Sequence, residues 1–149
     1  MKRLLVVHHT VSPATHALYL AVMEGASDPA IDGVEVTARP ALSATASDVL
    51  DADGYLLGSP ANLGYISGAL KHFFDQIYYP CLQAKTGAPY GLYVHGGSDT
   101  TGAVRSVTAI AKGLGWAQAF SPVETTGPVG KDVERRCYEL GATVAANLL

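Results

Sequence analysis

Three stretches of the chain are apolar almost without interruption: Arg3-Leu4-Leu5-Val6-Val7, Tyr55-Leu56-Leu57-Gly58 and Tyr90-Gly91-Leu92-Tyr93-Val94. A strand with apolar side chains on both faces has to be covered on both, the situation of a strand inside a parallel sheet. Val34-Glu35-Val36-Thr37-Ala38-Arg39 alternates instead, as an edge strand with one wetter face does. A weaker run from Ala117 to Val123 is expected to supply the opposite edge.

Between these runs the apolar spacing changes to that of helices. Val133, Cys137, Leu140, Val144 and Leu148 form one stripe, and Val104, Val107, Ala111 and Leu114 form another. Thr100 or Thr101 is the expected N-cap of that fourth helix, and Gly113 or Gly115 lies near its end. Ile66, Leu70, Phe73, Phe74 and Ile77 line a third helix, Thr45-Ala46-Ser47-Asp48 fits a capping box opening a short second one, and Leu18, Ala21, Val22 and Gly25 belong to the first. Five strands alternating with five helices predict an α/β three-layer sandwich. Its five-stranded parallel sheet has right-handed crossovers, order 2-1-3-4-5 and helices on both faces. No repeat, low-complexity tract or linker interrupts the pattern, so residues 1–149 are expected to form one domain.

Composition narrows the function classes. With 48% hydrophobic residues the chain can bury a sizeable core, yet no apolar run approaches the roughly 18 residues of a spanning helix. Leu4-Leu5-Val6-Val7 is too short for a signal-peptide core, and the expectation is a cytoplasmic protein with no membrane partner. A net charge of −3 with scattered cations argues against nucleic acid as a partner. Cys81 and Cys137 have neither disulfide-framework nor zinc-ligand spacing and read as buried free thiols. His8, His9 and His16 lack a carboxylate or cysteine to complete a metal set, so no metal is expected.

In a sheet of this order ligands bind beyond the carboxyl ends of the central strands, which singles out residues 9–16, 59–66 and 95–102. The first segment, His9-Thr10-Val11-Ser12-Pro13-Ala14-Thr15-His16, runs from a strand into a helix. Unpaired amides and the positive end of a helix, with the hydroxyls of Thr10, Ser12 and Thr15, could bind a phosphate without lysine or arginine. The competing reading is that Ser12-Pro13 only caps the helix. The segment contains no glycine, which excludes G-x-G-x-x-G, and G-x-S-x-G is absent from the chain. A receiver-like domain would need acidic residues where His8-His9 and Gly58-Ser59 stand.

The second segment carries the most specific pattern. Gly58, Ser59, Pro60, Gly64, Ser67, Gly68, Leu70, Lys71, Phe73 and Asp75 stand where G-[ST]-P-x-x-x-G-x-x-S-G-x-[LM]-[KR]-x-F-x-D places them. This resembles the flavin-ring loop of flavodoxin-like proteins, closest to the NAD(P)H-dependent FMN reductase and tryptophan-repressor-binding-protein (quinone reductase) families. Likewise the first segment resembles the flavodoxin phosphate loop [ST]-x-[ST]-G-x-T, with Pro13 replacing glycine and Ala14 replacing a common asparagine. Pro13 removes one amide donor.

The resemblance implies noncovalent FMN, with NAD(P)H as electron donor and a flavin or quinone as acceptor. The alternative is a flavodoxin-type electron carrier with no NAD(P)H activity of its own. It places the phosphate at Thr10, Ser12, Pro13, Ala14 and Thr15. The ring's redox edge falls at Ser59, Pro60, Ala61, Asn62, Leu63, Gly64 and Tyr65, and its far side at His95, Gly96, Gly97 and Asp99. No side chain is implied as a catalytic acid or base. Asp99 either tunes the flavin or caps the fourth helix, and Lys71 with Asp75 could form an exposed pair. Carriers of this kind are strongly acidic, and −3 supplies little steering field, which favours the reductase. The partners implied are small-molecule electron donor and acceptor, with a homodimer or tetramer left open.

Overall fold

The computed structural model describes residues 1–149. In chain order the elements are β1 Lys2–His8, α1 Pro13–Ala26, β2 Val34–Pro40, α2 Ala46–Asp51, β3 Gly54–Asn62, β4 Tyr65–Ile66, α3 Gly68–Cys81, β5 Pro89–Gly96, α4 Thr101–Leu114, β6 Ala117–Gln118, β7 Val123–Thr126 and α5 Lys131–Ala146. The sheet runs β2-β1-β3-β5-β6, the flavodoxin-like path, with β7 also beside β5. All pairings are parallel except that of β4, which folds back antiparallel on β3.

The apolar runs fall inside, for the expected reason. Leu5, Val7, Tyr55, Leu57, Leu92 and Val94 pack with residues of α3 and α4 such as Phe73, Phe74, Ile77, Val107 and Leu114. The alternate residues Leu4, Val6, Leu56 and Tyr93 meet Leu18 and Val22 of α1 and Cys137, Leu140 and Val144 of α5. Each such apolar side chain withdrawn from water contributes about 1.5–3 kcal/mol. Both cysteines are buried free thiols, and burial pushes the Cys137 thiol up to about 12, so it stays protonated and inert at neutral pH. No helix is long and apolar enough to cross a membrane.

Two expectations need correction: the sheet has seven strands, not five, and the third helix starts late. The far edge is not one strand from Ala117 to Val123 but β6 and β7, paired with β5 at Tyr90↔Gln118 and Tyr93↔Val123. The edge chain thus advances five residues while β5 advances three. Pro122, which has no N–H to give a ladder, lies in the excess. Ile66 keeps its buried place in the core but sits in β4, and α3 begins after it, with Ser67 as N-cap accepting the Leu70 amide at 3.2 Å. The expected capping box is present at α2, where the Thr45 hydroxyl accepts the Asp48 amide and the Asp48 carboxylate accepts the Thr45 amide.

Helices α1 and α5 approach closely because glycines face backbone. A Cβ on Gly141 would lie 2.1 Å from the Val22 carbonyl oxygen, and one on Gly25 would lie 1.9 Å from that of Tyr138. Glycine-to-alanine in an open helix position gains up to about 1 kcal/mol from propensity. Here overpacking decides the sign. Gly141→Ala should destabilise by about 1–3 kcal/mol in urea or thermal unfolding, and a stabilised variant would show that the helices separate without cost.

Candidate cofactor site

Strand register brings the three loop segments together. His8 pairs with Gly58, Gly58 with Tyr93 and Ala61 with Gly96, so the chain leaves β1, β3 and β5 side by side. The His9 amide extends this by donating to the Gly58 carbonyl at 3.0 Å. Gly58 is itself required by packing, since a Cβ there would lie 2.0 Å from the buried Tyr93 ring.

In the first segment Ser12 is the N-cap of α1, and its hydroxyl accepts the Thr15 amide at 3.1 Å. The Thr15 hydroxyl accepts the amides of Val11 and Ser12, both at 3.0 Å, and meets the Ser12 hydroxyl at 3.0 Å. This is the geometry of the capping reading: the two hydroxyls cap the helix and also pin the loop amides. The amides of Thr10 and Ala14 donate to no group of the chain. Pro13, with no N–H, takes the first helical position. The Thr10 hydroxyl lies 2.8 Å from His8 Nδ1. His9 Nδ1 is buried without a partner.

The second segment is a tight hairpin rather than an irregular loop. Asn62 pairs with Tyr65, which leaves Leu63 and Gly64 as the two turn residues, at φ +52° and +73°. Positive φ at both places is the mirror-image turn that matches strand twist, and asparagine or glycine adopts it far more readily than leucine. Leu63 at the tip is fully solvent-exposed, and Tyr65 is half exposed. The Ser59 hydroxyl points inward: it is buried, donates to the Pro60 carbonyl at 2.7 Å and accepts the Ser67 amide at 3.2 Å. Lys71 and Asp75 pair at 2.7 Å on the exposed face of α3.

In the third segment the titratable side chains also hold backbone. His95 Nε2 lies 2.7 Å from the Gly127 carbonyl, and since a carbonyl only accepts, Nε2 carries the proton. Asp99 accepts the Thr101 amide at 2.9 Å, and this bond holds its carboxyl below the usual carboxylate range. Thr100 occupies the N-cap position without capping, because its hydroxyl donates to Glu124 at 2.7 Å instead. A Cβ at Gly96 would come within 3.2 Å of the Ala61 Cβ, whereas one at Gly97 meets nothing within 4 Å.

These residues fit a flat, phosphorylated group. Two amides are free at a helix N-terminus, no acid lies in the loop, and the hairpin and third segment present open backbone at Gly64 and Gly97. The cleft lined by Arg3, Glu35, Arg39, Asp48 and Asp51 lies elsewhere, on the α2 face of β1 and β2. Sequence reasoning missed three contributors. Thr100 and Glu124 tie α4 to β7, and Gly102 lies so close to the hairpin that a Cβ there would be 2.0 Å from the Gly64 carbonyl oxygen. A glycine in the first turn of a helix, where propensity disfavours it, was the available signal.

Burial, and secondarily the neighbouring His9, holds the His8 imidazole below its ordinary 6.5. The unfolded chain therefore binds more protons than the fold, and stability falls as pH drops through 6.5 toward the folded value. Urea unfolding should give a lower stability at about pH 5.5 than at about pH 7.5. His8→Phe, which keeps a ring against Tyr19 (centroids 4.2 Å apart in the parent), should reduce that difference. An undiminished difference would place the titration elsewhere.

Comparison with known proteins bears on the fold and the family. A flavodoxin from Aquifex aeolicus is 39% identical over 77 residues, a match covering 52% of this chain and 40% of that protein, so the chain matches less than half of that relative's length. Among solved structures, the flavodoxin, WrbA-like protein from Agrobacterium tumefaciens superposes with a TM-score of 0.79 at 21% identity, covering 99% of this chain and 98% of that one. A flavodoxin from the domain Archaea gives 0.83 at 16% identity, covering 98% of each. At these identities the structural likeness establishes the fold alone. Residues 11–123, which include the first segment from Val11 onward, the hairpin and the third segment, match the family described as NADPH-dependent FMN reductase, and the chain belongs to that family.

Proposed function

We propose that the protein binds FMN noncovalently at the carboxyl ends of β1, β3 and β5 and uses it to pass electrons from NAD(P)H to a flavin or quinone acceptor. The observation that carries this reading is that the hairpin turn at Leu63-Gly64, with positive φ at both residues, follows β3 at the same end of the sheet at which β1 leads into a helix N-terminus with two unengaged amides. Bound FMN supplies the electron-accepting and electron-donating chemistry. The chain's part is to bind, orient and tune.

At the phosphate end, the Thr10 and Ala14 amides and the positive end of α1 would hold the dianion, while the Thr15 hydroxyl takes up the Val11 and Ser12 amides and so fixes the loop. The missing Pro13 amide costs one charge-assisted hydrogen bond, so FMN is held less tightly than a loop with glycine there would hold it. At the ring end, the backbone of Pro60 through Gly64 and of Gly96 and Gly97 would hold the isoalloxazine, with Tyr65 offering an aromatic face. Ser59, His95 and Asp99 act through the backbone they hold. No side chain is required as a general acid or base.

A second reading, an electron carrier reduced by a separate enzyme, draws on the flavodoxin relative. Purified protein titrated with FMN should quench flavin fluorescence saturably, and NADPH should then be oxidised with FMN and quinone but not without FMN. FMN binding without NADPH oxidation would make the protein a carrier, and no FMN binding would overturn both readings. Thr15→Ala should weaken FMN by roughly tenfold while leaving riboflavin, which lacks the phosphate, nearly unaffected. Equal loss for both ligands would refute the phosphate assignment.

A further inference from the structure

We infer that Gly102 is a positioning residue of this site: its missing side chain lets the first turn of α4 press backbone to backbone against the hairpin and so fixes where the Gly64 carbonyl points. A Cβ on Gly102 would lie 2.0 Å from the Gly64 oxygen, 3.2 Å from the Gly64 carbonyl carbon and 3.7 Å from the Tyr65 Cα. Separations below 3.0 Å force something to move. The question is which side yields.

The helix side is anchored. Asp99 accepts the Thr101 amide at 2.9 Å, Thr100 donates to Glu124 of β7 at 2.7 Å, and Ala103 is completely buried in the core. The Ser106 hydroxyl also donates to the Gly102 carbonyl at 2.9 Å. The hairpin side has only two ladder pairs, its tip is in solvent, and its leucine already occupies a disfavoured φ. On the side away from α4, a Cβ added at Gly64 would meet nothing within 4 Å, so the hairpin has room to move there. The hairpin therefore yields, and the Gly64 peptide is displaced or rotated. Because Thr100 ties α4 to the outer strand, the edge of the sheet positions the hairpin two strands away.

The functional half of this inference rests on the FMN reading, so its test needs a measurement that does not. Gly102→Ala should accelerate amide hydrogen exchange at Gly64 and Tyr65 in protein without added flavin. It should also weaken FMN by about tenfold and shift the midpoint potential of the bound flavin, a change that a purely structural role would not produce. A folded Gly102→Ala with parental exchange, affinity and potential overturns the inference. If the parent protein binds no FMN, the functional reading falls, and hydrogen exchange alone decides whether Gly102 sets the hairpin. If Gly102→Ala does not fold, Thr100→Val decides, since it removes the tie to Glu124 and adds no atom toward the hairpin. It should raise exchange at Tyr65 and weaken FMN by a few fold, and an unchanged hairpin overturns the inference.

Discussion

Burial of β1, β3 and β5 on both faces is the constraint from which the rest of the architecture follows. Strands with no wet face cannot be joined by short hairpins without leaving one side of the sheet bare, so each connection crosses over through a helix. Parallel strands then all end on the same side. The polar segments after β1, β3 and β5 have nowhere else to go, and the register His8-Gly58-Tyr93 makes them neighbours. The site is a consequence of covering the sheet.

What the three segments present outward is mostly backbone. Ser12, Thr15, Ser59, His95 and Asp99 spend their hydrogen bonds on nearby amides and carbonyls, and so hold the outward-facing peptide groups in place. A cradle built this way needs no lysine or arginine, and it exchanges side-chain contacts for close approach. That exchange explains why glycine recurs around it. Gly58 makes room for the Tyr93 ring, Gly102 for the hairpin, and Gly64 takes up a conformation that other residues resist. The same economy appears far from the site, where Gly25 and Gly141 let α1 and α5 meet backbone to backbone.

The site also carries strain beside rigidity. Leu63 holds a left-handed conformation in full exposure, at a cost of roughly 1–2 kcal/mol that nothing at the tip itself offsets. Flanking it are the buried Ser59–Ser67 bond on one side and the anchored start of α4 on the other. Strain that persists in such a setting is held there by its surroundings, and it lies at the place where a flat ligand would meet the chain.

The sequence by itself determined the layers, the strand order along the parallel path, the helix stripes and the three segments that converge, because all of these depend on periodicity and on residues close together in the chain. The capping box at Thr45-Asp48 was legible for the same reason: it is settled within four residues. The split of the far edge into β6 and β7, the transfer of Ile66 from helix to hairpin and the inward turn of Ser59 were not, since each depends on a partner strand or helix that local pattern cannot name. Gly102 marks the boundary most clearly. Its neighbour in space is Gly64, thirty-eight positions earlier in the chain, and only the packing of α4 on the hairpin reveals that a side chain there has no room. Tertiary structure decided the side-chain partners because a hydrogen bond or a clash is a matter of ångströms between segments, a distance that hydrophobic spacing does not encode.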